Sequence, residues 1–177
     1  ELGQYQEAMS CYQRAIKLNP EYIEALHNIG RVQLAIGDYT NGWIGHEYRN
    51  NGMKEVYELL GIKDKKLWNG KKFDGTLIVH GEQGIGDEIL YSSMFPDLVN
   101  YHDNLIITTD GRLIPIMQRS FPKVNFINRY NDNLSNKNNS SIHILAGSLG
   151  RIFRNSLTDF KKDKHQWLVP SPKKCDN

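Results

Sequence analysis

The residues best suited to chemistry lie in one short turn, Gly-Glu-Gln-Gly-Ile-Gly-Asp, at positions 81–87. An apolar run precedes the turn and an apolar helical pattern follows it, so the sequence predicts a strand, a turn and a helix. Glycines permit positive φ angles and let a substrate approach the backbone, and a helix N-terminus presents free N–H groups. The turn is therefore predicted to cradle a substrate. Its predicted binding residues are Gly81, Glu82, Gln83, Gly84 and Gly86.

The glycine spacing of this turn excludes two familiar phosphate sites. It reads G-x-x-G-x-G-D, which differs from the dinucleotide pattern G-x-G-x-x-G and lacks the lysine of a P-loop. A nucleotide-dependent redox enzyme would also need an acid about twenty residues beyond the turn to contact a ribose. Asp103 and Asp110 lie near that distance, but the glycine pattern does not fit.

Asp87 can serve as a helix cap, as a catalytic base, or as both. Asp is a common N-cap residue, accepting hydrogen bonds from first-turn amides. A helix start also stabilises an anionic carboxylate, which could then accept a proton from a hydroxyl. Glu82 is a second carboxylate in the turn, and its alternatives are substrate binding, a solvated loop position or a salt bridge.

Composition narrows the functional class further. The 22 Lys and Arg residues nearly balance the 20 Asp and Glu residues, so no nucleic-acid partner is predicted. No apolar run reaches the roughly 18–20 residues of a membrane span. The two cysteines, Cys11 and Cys175, have no metal-ligand spacing, which predicts no metal site and a reducing, cytoplasmic location. The chain begins without Met inside a helical pattern, as a fragment would.

The first fifty residues carry an internal repeat. Gly3 to Gly37 and Tyr5 to Tyr39 are each separated by 34 positions, the period of a tetratricopeptide repeat. The second copy decays, because its packing positions hold Gly, His and Arg where the first copy has Ala, Tyr and Ala. We therefore expect the last repeat to pack on something other than another repeat, through a helix that docks Trp43.

From residue 76 strands and helices alternate. Apolar runs in 76–80, 104–110, 123–128 and 141–147 predict strands, and 88–98 and 111–119 predict helices. This order predicts a Rossmann-like parallel sheet after the repeats, hence an α and α/β fold. The predicted domains are a tetratricopeptide part (1–50), a linker (51–75) in which Trp68 is an anchor, and an incomplete Rossmann-like domain (76–177).

Two residues beyond the last predicted strand are further candidates. Ser148 lies at a strand end and is predicted either to bind substrate in the same cleft or to serve as a turn hydroxyl. Arg154 follows on a helical pattern, where it could contact an anionic acceptor, the phosphates of a donor, or only solvent.

The combination of these motifs resembles a known protein class. The stem ending in GDYTNGWIGHEYR, followed by LWNGKKFDGTLIVHGEQGIGDEILYSSMFPDL, resembles bacterial tetratricopeptide proteins fused to a glycosyltransferase. Their catalytic part is similar to the heptosyltransferase family, which has two facing Rossmann-like domains, the GT-B architecture. The resemblance covers residues 1–130 well and residues 142–160 weakly.

That resemblance implies a reaction and a set of partners. Asp87, preceded by Gly86, matches the general base that deprotonates the acceptor hydroxyl. A nucleotide-sugar is the implied donor substrate, with no cofactor or metal. The main donor site would lie in a C-terminal domain that this chain does not reach, so the fragment alone is expected to be inactive. The repeats would recruit a protein or peptide. The alternative is a non-catalytic tetratricopeptide and Rossmann-like scaffold.

Overall fold

The computed structural model describes residues 4–49, 57–58, 60–82, 84–130, 141–161 and 166–172. Its contacts divide the chain into two compact units. We call residues 1–63 with 150–162 the helical unit, and residues 64–149 with 163–177 the sheet unit. The predicted fold class is confirmed, since repeat-type helices precede an all-parallel sheet with helices. The predicted domain boundaries remain predictions.

The helical unit begins with three helices. They are α1 (Tyr5–Leu18), α2 (Ile23–Ala35) and α3 (Tyr39–His46). Helix α1 ends just before Asn19 and Pro20, as the sequence predicts, because proline disfavours helical geometry in the residue before it. The Asp38 side chain caps α3 by accepting from the Asn41 backbone N–H.

Helices α2 and α3 touch backbone to backbone. A Cβ built on Gly45 would lie 2.4 Å from the Gly30 Cα, and one built on Gly30 would lie 2.6 Å from Gly45. Both glycines are buried. Neither position can accept a side chain without separating the helices, so small residues here fix the close approach of the pair.

Two short helices from late in the chain complete the helical unit, α7 (Gly150–Phe153) and α8 (Leu157–Lys161). The Trp43 indole N–H donates to the Arg154 carbonyl oxygen at 2.6 Å, and the indole ring lies against Gly150. Tyr39 contacts Phe160 with ring centroids 4.9 Å apart. The last repeat helix thus packs on α7 and docks its tryptophan there, as the decayed repeat predicts.

The sheet unit is built on four parallel strands in the order β3-β2-β1-β4. They are β1 (Leu77–His80), β2 (Leu105–Thr109), β3 (Asn125–Asn128) and β4 (Ile142–Leu145). Every residue of β1 and β4 is buried, which fits strands covered on both faces by helices.

The helices after β1 differ from the single predicted one. The predicted helix 88–98 is wrong in its bounds, because the structure has α4 (Ile85–Ser92) and α5 (Phe95–Tyr101). Pro96 explains the break: it lacks an N–H and its ring clashes with the carbonyl four residues earlier, so it is tolerated only in a first turn. Helix α6 (Ile114–Ser120) also carries its proline at the start.

The predicted linker contributes to the sheet unit. The Trp68 backbone N–H donates to the His143 carbonyl at 2.8 Å, and the His143 N–H donates to the Lys66 carbonyl at 2.9 Å, so this segment covers the outer edge of β4. The Trp68 ring is 2% exposed and its indole N–H donates to the Lys71 carbonyl, as expected of an anchor.

Within the described ranges, no helix has both the length and the apolar character needed to cross a membrane.

The glycine contact between α2 and α3 yields a stability prediction. Gly45→Ala should lower the free energy of unfolding by about 2–3 kcal/mol, since the new methyl group would clash with backbone that cannot move aside. Urea denaturation followed by helical circular dichroism measures this. Thr40→Ala, at an exposed position of the same helix, is the control and should stay within about 0.5 kcal/mol of the parent. Equal midpoints for both variants would contradict the close packing.

Candidate functional site

The predicted turn lies at the carboxyl end of β1, an internal strand of the sheet. The strand order places β2 on one side of β1 and β4 on the other. In open parallel sheets, ligands bind where the strand order reverses, just outside the carboxyl ends. The turn after β1 and the 3₁₀ turn Ala146–Leu149 after β4 flank that point.

Gly81 makes the tightest contact in the turn. Its N–H donates to the Thr108 carbonyl at 2.9 Å and to the Thr108 hydroxyl at 3.0 Å. A Cβ at this position would lie 2.5 Å from the Thr108 carbonyl oxygen. Glycine is therefore required because β1 and β2 approach closely at their ends.

The described glycines of the turn do not use the positive φ angles that glycine permits. The positive-φ glycines among the described residues are elsewhere in the chain, and Gly84 has φ −95° and ψ 170°. Gly86 faces open space, with no atom within 4 Å of a Cβ built there. The lack of a side chain at Gly81 lets the neighbouring strand lie close, and the lack of one at Gly86 leaves open space. Neither glycine is needed for left-handed backbone geometry.

Helix α4 begins three residues earlier than predicted, which changes the position of Asp87. Gly84 is the N-cap, and Asp87 is the third residue of the helix rather than its cap. The Asp87 carboxylate accepts a hydrogen bond from the Gly84 N–H at 3.1 Å, which closes the first turn. Asp87 is half-buried, so solvent still reaches this residue. Whether it acts as a base stays a prediction.

Glu82 turns toward the neighbouring strand. It is 5% exposed, and its Oε1 accepts a hydrogen bond from the Gly147 N–H at 2.6 Å. The alternative of a solvated loop residue is therefore wrong, and the side chain joins the turn after β1 to the turn after β4. Its role in substrate binding stays a prediction. Gln83 lies outside the described residues.

Glu88, which sequence reasoning passed over as an ordinary helix residue, is buried at the same sheet end. Its Oε2 accepts hydrogen bonds from the Thr109 hydroxyl and, at 2.9 Å, from the Asp110 N–H. Its Oε1 lies 2.8 Å from Nη1 of Arg129, beyond the end of β3. This carboxylate therefore ties α4 to the ends of two strands.

The only sequence signal for Glu88 was a second acid directly after Asp87. Acidic residues are common in the first turn of a helix, and the pattern does not reveal which one faces inward. Successive helical residues point in directions about 100° apart, so adjacent acids such as Asp87 and Glu88 cannot both face inward. The exact start of the helix decides which of them does. Arg129 is distant in sequence and carried no signal of its own.

Asp110 sits just after β2, where a redox enzyme would place its ribose-binding acid. Here its carboxylate accepts from the Arg112 guanidinium at 2.9 Å through both oxygens. These bonds and the Arg112 backbone N–H hold the pKa of Asp110 well below its usual range. Arg112 already occupies the carboxylate, which does not favour a ribose contact.

Within the described residues, no three potential metal-ligating side chains cluster.

The two later candidates belong to different compact units. Ser148 is 2% exposed in the 3₁₀ turn after β4, next to the Gly147 that Glu82 contacts. Arg154 belongs to the helical unit, where its guanidinium donates to the Phe153 carbonyl and lies over the Phe160 ring. Arg154 is 3% exposed, so the solvated-cation alternative is wrong. The binding roles of both residues stay predictions.

A histidine pair precedes the turn. His80 Nε2 and His143 Nδ1 are 2.9 Å apart with stacked rings, and His143 Nε2 lies 2.8 Å from the Ser141 hydroxyl. Burial, with His143 nearby, lowers the pKa of His80 to about 3. Burial, with Lys65 nearby, lowers the pKa of His143 to about 4. Both rings are neutral near pH 7, and the chain of three side chains links β4 to β1.

Comparisons with known proteins cover parts of the chain. A family model described as TPR repeat matches residues 1–37, which confirms the repeat. Protein FlbA of Caulobacter vibrioides (strain ATCC 19089 / CIP 103742 / CB 15) is 29% identical over 135 residues, covering 70% of this chain and 22% of that protein. The chain thus spans less than a quarter of the length of this relative. No solved structure matches. The TPR repeat indicates a role in protein interaction.

The histidine pair predicts acid sensitivity. The folded chain keeps His80 neutral down to about pH 3, whereas the unfolded chain protonates it below its ordinary pKa of 6.5. The unfolded state then binds more protons, so stability is complete above about pH 6.5 and falls as the pH drops. Between about pH 6.5 and 4.5 the His80 contribution should fall by about 2 kcal/mol.

Urea denaturation across this pH range measures the loss. His80→Gln retains a hydrogen-bonding group beside His143 but does not titrate, so the variant should lose less stability on acidification than the parent. Parallel pH curves for the two proteins would contradict the assignment of a neutral buried pair.

Proposed function

We propose that the chain is the stem and acceptor-side domain of a glycosyltransferase, which transfers a sugar from a nucleotide-sugar to a hydroxyl group. One observation carries the proposal. The Glu82–Gly147 hydrogen bond joins the two turns that flank the switch point of the sheet, and the half-buried Asp87 lies on the first of them. This is the place where open parallel sheets bind ligands.

The proposed reaction requires one proton acceptor in this turn. Asp87 would accept the proton of the acceptor hydroxyl while the hydroxyl oxygen forms a bond to the anomeric carbon of the donor sugar. The bond from that carbon to the nucleotide phosphate breaks, and the nucleotide leaves with the bonding electrons. The Gly84 N–H bond fixes the Asp87 side chain, and the open space at Gly86 gives an acceptor room beside it.

The helical unit would supply the acceptor. A TPR repeat indicates protein interaction, so we propose that the repeats hold a protein whose hydroxyl side chain receives the sugar. The 135 residues that align with the relative described above exceed the 37 of the repeat, so the alignment includes chain beyond the repeat. The name of this relative states no activity, so it carries no argument for the reaction.

The rival proposal is a scaffold without catalysis, in which the Rossmann-like sheet only supports the repeats. Burial of Glu82 and Glu88 serves either proposal, because both side chains stabilise the turn. The two proposals differ at Asp87. A scaffold has no need of a carboxylate there beyond its bond to Gly84, and an amide would leave its interactions with partners unchanged.

Asp87→Asn tests the proposed base. In the full-length natural polypeptide, the variant should lower the transfer rate by about 10²–10⁴-fold, because an amide cannot accept the proton. The assay follows label from UDP-, GDP- and CMP-sugars into protein of an extract from the source cells. The asparagine oxygen can still accept from Gly84, so thermal unfolding should change little.

Asp103→Asn is the matched control. Asp103 is an exposed aspartate in the loop before β2, at the opposite end of the sheet from the turn. It should retain the parent rate. A parent protein that transfers sugar equally well with and without the Asp87 carboxylate would refute the assignment of the base. No transfer from any donor by the parent would favour the scaffold.

A further inference from the structure

We propose that Glu82 and Glu88 are positioning residues that hold the turn between them from two sides and thereby place Asp87. The inference rests on the proposed function, since it concerns the residue proposed as base. It adds two residues that would never contact the reacting atoms. Both are nearly sealed from solvent, at 5% and 4% exposure, which suits support rather than substrate contact.

The turn needs external support because its own sequence supplies little. Three of its seven residues are glycine, and glycine loses more conformational freedom on ordering than any other residue. The Gly84–Asp87 bond orders the helix start but does not fix where the helix start lies. Position must come from groups that reach the neighbouring strands.

Glu82 supplies the contact on the β4 side. Its carboxylate accepts a hydrogen bond at 2.6 Å from the N–H of Gly147, the second residue after the end of β4. The bond is charge-assisted and buried, a combination that makes a hydrogen bond stronger than its neutral counterpart. Gly147 is itself buried in the 3₁₀ turn Ala146–Leu149.

Glu88 supplies the contact on the β2 side. It accepts from the Asp110 N–H and the Thr109 hydroxyl and pairs with Arg129, so one carboxylate joins the ends of β2 and β3 to α4. It directly follows Asp87 in the same helical turn. Any displacement of Glu88 is therefore passed to Asp87 through the backbone of a single peptide.

The contacts of Glu82 and Glu88 are of the same kind and lie on opposite sides of β1. Each is a buried carboxylate that accepts a backbone N–H just beyond the end of a strand next to β1. One lies at the start of the turn and the other at its end. If either bond were lost, the turn could pivot about the bond that remained. We therefore infer that both bonds are needed to set the Asp87 carboxylate in one place.

Substitutions at Glu82 test the inference. In the full-length natural polypeptide, Glu82→Ala should lower kcat by about 10–100-fold with a smaller change in KM, because misplacing a reacting group by about 1 Å costs that much. Glu82→Gln should recover most of the rate, since its carbonyl oxygen can accept the same Gly147 N–H bond. A substrate-binding role for the charge would leave Glu82→Gln as impaired as Glu82→Ala.

Hydrogen exchange supplies a readout that does not depend on catalysis. Backbone amides of residues 84–90 should exchange about five- to tenfold faster in Glu82→Ala than in the parent, and Glu82→Gln should exchange at nearly the parent rate. Glu88→Gln is the second variant, chosen because it keeps the side-chain shape. It should speed exchange over the same residues. Asp103→Ala is the exposed control and should change neither readout.

The outcomes separate this inference from the proposed function. If Asp87→Asn abolishes transfer but Glu82→Ala retains kcat, the glycosyltransferase assignment stands and the positioning role is overturned. If exchange over residues 84–90 is unchanged in both Glu82→Ala and Glu88→Gln, the positioning role is overturned whatever the activity. Faster exchange in Glu82→Ala with a kcat loss rescued by Glu82→Gln supports it.

Discussion

The buried carboxylate of Glu88 organises the end of the sheet at which the candidate site lies. A carboxylate removed from water is costly unless hydrogen bonds and an opposite charge replace its hydration. Glu88 obtains these from the Asp110 N–H, the Thr109 hydroxyl and Arg129, groups that belong to the ends of two strands. A Cβ built on Gly81 would lie 3.2 Å from the Glu88 Oε1, so a glycine at this position eases the approach of the first turn of α4. The geometry of the candidate site thus follows from satisfying one charge.

The turn after β1 combines a glycine-rich sequence with hydrogen bonds to the neighbouring strand ends. Its glycines give room and close approach, and the carboxylates at either side of it bind backbone N–H groups of the neighbouring strand ends. Asp87 remains half-buried between them. Such an arrangement holds a side chain in place while leaving it accessible to solvent, which is what the proposed acid–base role of Asp87 requires. The neutral pair of His80 and His143 adds a second link between β1 and β4 just before the turn.

Close packing has the same organising role in the helical unit. Gly30 and Gly45 bring two helices into backbone contact, and Gly150 lies against the Trp43 ring. The residues that complete this unit come from the chain segment after β4, at positions 150–162. The helical unit is therefore discontinuous in sequence, with the whole parallel sheet inserted between its parts. A repeat whose packing positions have become Gly, His and Arg accepts this different partner in place of another repeat.

The sequence alone determined the features that depend on local pattern. The 34-residue period identified the repeat, apolar runs identified the four strands, and alternation with helices identified the parallel sheet. The tertiary structure decided what depends on distant partners: the inward turn of Glu82 toward Gly147, the burial of Glu88 against Arg129, and the placement of Arg154 in the helical unit. A carboxylate carries the same letter whether it faces water or a neighbouring strand. Only folding brings the N–H groups and the guanidinium that make its burial favourable.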